Sequence, residues 1–132
     1  MRIDFHEFTN LLKELRPDVA ELQHGVISLA LDGRTLTFVQ APDDPDSVLI
    51  RTRVLSLSEL SQPGEFAKAA LSGNFFWHAT RGAKLSVGSD DVVYLSESRL
   101  LEELSDPESI ISAIEDFMDT VTDWQIRSRL YA

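Results

Sequence analysis

The chain has 132 residues and no cysteine, carries 22 carboxylates against 12 lysines and arginines, and is 43% hydrophobic. That length suits a single domain, 1–132, able to bury roughly two-thirds of its unfolded surface without a metal or disulfide. The composition excludes disorder, a disulfide framework and a thiolate nucleophile, and a net charge of -10 disfavours nucleic acid and anionic lipid as partners.

The N-terminal MRIDFHEFTN lacks the apolar stretch of a secretory signal, and no later run approaches the roughly 20 apolar residues of a bilayer span, so the expected location is the cytoplasm. A helix begins there. Asp4 is its predicted N-cap, with Glu7 in capping-box position and Ile3 and Phe8 placed for a hydrophobic staple. Phe8, Leu11, Leu12 and Leu15 follow as an apolar stripe with Phe5 at its edge, and Pro17 ends the helix at Arg16. In GVISLALDGRTLTFVQAP, Asp32-Gly33 joins two alternating runs and predicts a type I′ hairpin. Its register pairs Leu31 with Arg34, Leu29 with Leu36 and Ile27 with Phe38. Leu29, Leu36, Ile27 and Phe38 make an apolar face for helices to cover. Val26, Ser28, Ala30, Thr35, Thr37 and Val39 make a smaller, more polar face.

After the turn APDDPD, a third strand, SVLIRTRVLSL, alternates Val48, Ile50, Thr52 and Val54 with Leu49, Arg51, Arg53 and Leu55. Its outer face thus mixes apolar residues with arginines, either as a contact surface or because the strand ends twist into the core. A second helix is predicted from Glu65 to about Gly73, then the strands AKLSV and VVYLSES joined by GSDD. The last helix opens at Asp106 as N-cap with Pro107 at N1. It buries Ile110, Ile114, Phe117, Met118, Val121 and Trp124. Between Arg99 and Arg127 there are eight carboxylates and no Lys or Arg, so its solvent face is acidic. The order α-β-β-β-α-β-β-α describes a two-layer α+β fold, an antiparallel sheet with helices on one side.

No catalytic constellation emerges. His6, His24 and His78 lie in separate elements without metal-ligand spacing, and Asp43, Asp44 and Asp46 lack the pattern of a calcium loop. Phosphate loops and the Gly-x-Ser-x-Gly elbow are absent, and no serine has an adjacent base. The chain is expected to bind rather than catalyse, with no cofactor and no metal.

The order of elements and the stretches SLALDGRTLTF, ALSGNFFWHATRGAKLSVGSDDVVYL and FMDTVTDWQIRSRL resemble the class I type III secretion chaperones, the Tir-chaperone family. The resemblance covers nearly the whole chain. It implies a bacterial cytoplasmic homodimer that holds the extended N-terminal segment of a secreted effector unfolded for export, without ATP. It places the dimer contact on the second helix and fourth strand: Phe66, Ala70, Leu71, Phe75, Phe76 and Trp77, with Leu85 and Val87 nearby. For the effector surface the expected residues are Phe5 and Leu12 on the first helix, with Val26, Val39, Leu49 and Leu55 on the sheet. One alternative keeps the fold for a regulator that sequesters an activator or anti-activator. Another is a small ligand-binding or enzymatic domain with its pocket at Trp77, His78 and Arg81. A third is a generic interaction domain unrelated to secretion.

Overall fold

The computed structural model describes residues 3–76 and 79–132. Its three helices are α1 (Phe5–Leu15), α2 (Pro63–Phe75) and α3 (Pro107–Ser128). The strands are β1 (Ala20–Gln23), β2 (Val26–Leu31), β3 (Arg34–Gln40), β4 (Ser47–Ser56), β5 (Lys84–Val87) and β6 (Val92–Leu100). They form one six-stranded sheet in the order β1-β2-β3-β4-β6-β5. The α+β fold is the expected one, with one strand more. The added β1, AELQ, is exposed along its whole length. It offers no alternation of burial from which to predict a strand.

The chain divides into two compact units. The first comprises Met1–Thr52 and Ser98–Glu115. Here α1 begins with the expected capping box. The Glu7 backbone N–H donates to Asp4 Oδ1 at 2.8 Å, and the Asp4 N–H points back to Glu7 Oε1 at 3.5 Å. Ile3 and Phe8 are both buried, as a staple requires. The helix closes where Arg16 N–H donates to Leu12 O ahead of Pro17.

The β2–β3 turn places Asp32 at φ 52° and Gly33 at φ 77°, the positive angles of a type I′ turn. The register is the predicted one, Leu31 with Arg34, Leu29 with Leu36 and Ile27 with Phe38. Ile27, Leu29, Leu36, Phe38, Val48 and Ile50 fill the inner face of the sheet. Phe8 of α1 lies over it, its ring centroid 5.6 Å from that of Phe38.

The second unit comprises Arg53–Glu97 and Asp116–Ala132. Phe66 of α2 is its centre, meeting Trp124 edge-on at 6.1 Å and Tyr131 at 5.6 Å. Trp124 is fully buried, and its indole N–H donates to Ala79 O at 3.2 Å. Gly73 gives α2 its close approach to that indole. A Cβ there would sit 2.5 Å from Trp124 Cζ2 and 2.7 Å from Cη2. Helix α2 runs two residues past the predicted Gly73, to Phe75.

Helix α3 starts as expected, with Ser109 N–H donating to Asp106 Oδ1 at 2.9 Å. Buried hydroxyls in both units turn back to the main chain: Thr9 donates to Phe5 O, Thr52 to Thr35 O and Thr120 to Asp116 O. No helix among the described residues is long and apolar enough to cross a membrane.

Candidate functional site

The register brings three of the predicted contact residues into one row. Val26 pairs with Val39, and Val39 with Leu49, so these side chains run directly across β2, β3 and β4. All three are half-buried and belong to the face opposite Phe38 and Ile50. The next row on that face is polar, Ser28 beside Thr37 beside Arg51. A cleft lined by Gln23, His24, Val26, Val39, Pro42 and Pro45 continues the apolar row toward the ends of the strands.

The other three residues expected on this surface belong to the core. Phe5, Leu12 and Leu55 are buried. Phe5 and Leu12 lie three residues before and four after Phe8, so the helical repeat carries them onto the stripe that faces the sheet. The Phe5 and Phe8 rings are 6.1 Å apart. Leu55 follows the outward parity of Leu49, Arg51 and Arg53, but β4 ends in a bend. A 3-10 turn, Leu57–Glu59, folds back there, and Arg53 Nη2 reaches Ser56 Oγ at 2.8 Å and Glu59 Oε1 at 2.9 Å.

The aromatic segment separates in the same way. Phe66, Ala70 and Leu85, expected at a subunit contact, are buried within the second unit. Phe66 sits between Trp124 and Tyr131, and Leu85 faces inward from β5. Leu71, Phe75 and Phe76 are 70%, 78% and 56% exposed, and Val87 is exposed on β5. Leu71 and Phe75 are one helical turn apart, and the Phe75 and Phe76 rings meet edge-to-face at 4.9 Å. Trp77 and His78 lie outside the described residues. The sequence reading stopped at Trp124 and missed Leu130, 77% exposed, which lines a groove with Phe76, Ala69 and Ser72. The available signal was its place off the stripe of Val121 and Trp124.

Polar groups near these surfaces serve the fold. Arg81, at φ 54°, donates to Thr120 Oγ1 at 2.8 Å and pairs with Asp123 at 2.9 Å. Asp44 accepts from the Ser47 hydroxyl at 2.6 Å and from Asp46 N–H at 3.0 Å, closing the acidic turn. Asp90 is held below the usual carboxylate range by Val92 N–H and the Tyr94 hydroxyl. Asp106 is likewise lowered by the Ser109 N–H and hydroxyl. His6 is exposed beside the Asn10 amide, and no group of three metal-ligating side chains converges among the described residues. Helix α3 presents Glu108, Glu115, Asp116 and Asp119 to solvent.

Among the solved structures that share this fold are three complexes. The chain superposes on the crystal structure of the ExsC–ExsE complex with a TM-score of 0.78 at 17% identity, covering 96% of this chain and 97% of that one. The HopA1–SchA chaperone–effector complex gives 0.62 at 15% identity, with 96% and 98% covered. The Yersinia pestis type III secretion chaperone SycH, in complex with a stable fragment of YscM2, gives 0.60 at 15%, with 87% and 97% covered. No curated protein sequence matches significantly. The family model of the Tir chaperone protein (CesT) family matches residues 6–125. The chain belongs to that family, the non-enzymatic, effector-binding chaperones of type III secretion.

Proposed function

We propose that the protein acts in the bacterial cytoplasm as a homodimer that holds the N-terminal segment of a secreted effector extended and unfolded for export, without ATP. The observation that carries this reading is the Val26–Val39–Leu49 row. An apolar strip across three strands, bordered by Thr37 and Arg51, suits alternate side chains of an extended peptide. Self-association uses the exposed Leu71, Phe75 and Phe76, a patch rich in aromatic surface of the kind found in interface cores. The net charge of -10 keeps the empty chaperone apart from its neighbours while these surfaces are bare. A partner with basic or mixed charge is the expected match.

Native capture tests the reading. Tagged protein is purified from its own cell's lysate and trimmed lightly with protease, and the protected material is identified by mass spectrometry. One protected N-terminal segment of a secreted protein per two chains is the expected result. A protected regulator in its place transfers the fold to sequestration of an activator or anti-activator. No protein partner at all refutes the chaperone reading.

A further inference from the structure

We propose that the Asn74 side chain closes the outer edge of β5, so that self-association on the aromatic face proceeds through side chains and never by strand pairing. Strand β5 ends the sheet, and an end strand offers its backbone N–H and C=O groups to any extended chain. Which of its residues do so follows from the hairpin. Gly88 N–H donates to Val92 O at 3.0 Å, so that pair is hydrogen-bonded, and antiparallel alternation turns Ser86 toward Tyr94 of β6. Leu85 and Val87 therefore direct their backbone groups away from β6. At Leu85 both are occupied by one carboxamide. Asn74 Nδ2 donates to Leu85 O at 2.8 Å, and Leu85 N–H donates to Asn74 Oδ1 at 2.8 Å. Those are the two bonds that a residue of an added antiparallel strand would make.

Asn74 is the penultimate residue of α2, and the helix end is fixed where Phe76 N–H donates to Ser72 O at 3.0 Å. The plug therefore stands beside Phe75 and Phe76 in sequence. An apolar patch next to an open sheet edge would draw in a second copy of this chain and let its β5 pair with the first. The exposed Lys84 and the shortness of β5, four residues, act in the same protective direction. At the opposite end of the sheet, β1 is interrupted by a bulge between Glu21 and Gln23. The two edges are thus guarded by different means, and the inference stands whether or not the partner is an effector.

The experiment compares wild type with Asn74→Ala and Asn74→Asp by residue-resolved amide hydrogen exchange and light scattering. In wild type the Leu85 amide is protected although it faces outward. In Asn74→Ala at low concentration it exchanges roughly 10- to 100-fold faster, as loss of its acceptor requires. On concentration, that variant grows past the wild-type size into assemblies with added strand content. Asn74→Asp keeps the acceptor for Leu85 N–H and loses only the donor, so it falls between and serves if the alanine variant fails to fold. Val87→Lys added to Asn74→Ala places a charge on the same edge and suppresses the growth. Unchanged Leu85 protection in the variants, growth without added strand content, no growth, or growth that persists with Val87→Lys would each overturn the proposal.

Discussion

Replacing Gly73 by alanine sets two forces against each other at a single methyl group. In an exposed helix interior the change stabilises by about 0.8–1 kcal/mol, because glycine leaves more backbone freedom to the unfolded chain. At this position the new Cβ would lie 2.5 Å from Trp124 Cζ2. Something must move, and the indole has little room to do so: it is fully buried, packed on Phe66 and hydrogen-bonded to Ala79 O. Forcing a methyl into a filled core costs about 1–3 kcal/mol. The packing term therefore wins, and the net loss is about 1 kcal/mol. With a urea slope of about 1.5 kcal/mol/M, the midpoint falls by about 0.7 M, read by far-UV circular dichroism. Gly64→Ala is the control. It lies in the first turn of the same helix with nothing within 4 Å of its Cβ, and it should leave the midpoint unchanged or raise it slightly. A higher midpoint for Gly73→Ala, equal to that of the control, would refute the packing argument.

Two further outcomes follow from the surface and the caps. Phe75→Asp should weaken self-association at least 100-fold at little cost to the protomer itself, since the ring is 78% exposed, so the thermal midpoints should coincide at concentrations where wild type is also monomeric. Light scattering across a dilution series reads this, and an undisturbed dimer would remove Phe75 from the contact. The depressed pKa of Asp106 works in a known direction. Its contribution is complete above the unfolded carboxyl value of about 3.9 and is lost as pH falls through the lower folded value. Asp106→Asn retains a capping oxygen that does not titrate, so stability should fall less between about pH 4 and pH 2, followed by urea midpoints. A slope equal to wild type would show that Asp106 has no part in acid unfolding.

Where local chemistry alone determined structure, the sequence was readable. A turn that requires positive φ at two positions admits few residues, and Asp32-Gly33 set both the hairpin and the face of every side chain in β2 and β3. From that register came the Val26–Val39 half of the apolar row. The helix starts at Asp4 and Asp106 were legible for the same reason, a side chain bonding a backbone group three residues away. What escaped depended on partners distant in sequence. Strand β1 exists because β2 offers it an edge, and AELQ carries no pattern of its own. Parity placed Leu55 outward until the chain bent beyond it. In the aromatic segment, sequence identified apolar mass but could not apportion it. Phe66 entered the core because Trp124 and Tyr131 arrive from the far end of the chain, while Phe75 and Phe76, at the end of α2, stay 78% and 56% exposed with their rings edge-to-face.

The buried hydroxyls bear on how such a fold persists while its residues change. Thr9 and Thr52 each satisfy themselves on a main-chain carbonyl, an acceptor present wherever the backbone runs the same way, whereas Thr120 donates to one and also accepts from Arg81. No distant side chain has to change in concert when the Thr9 or Thr52 hydroxyl is gained or lost, while loss of the Thr120 hydroxyl would take an acceptor from Arg81. An interior of aliphatic and aromatic groups with self-contained polar atoms accepts exchanges of similar volume one at a time. Much of this core can therefore be rewritten by single steps, the side-chain pairs Arg81–Thr120 and Ser47–Asp44 excepted, toward sequences that share an architecture and little else.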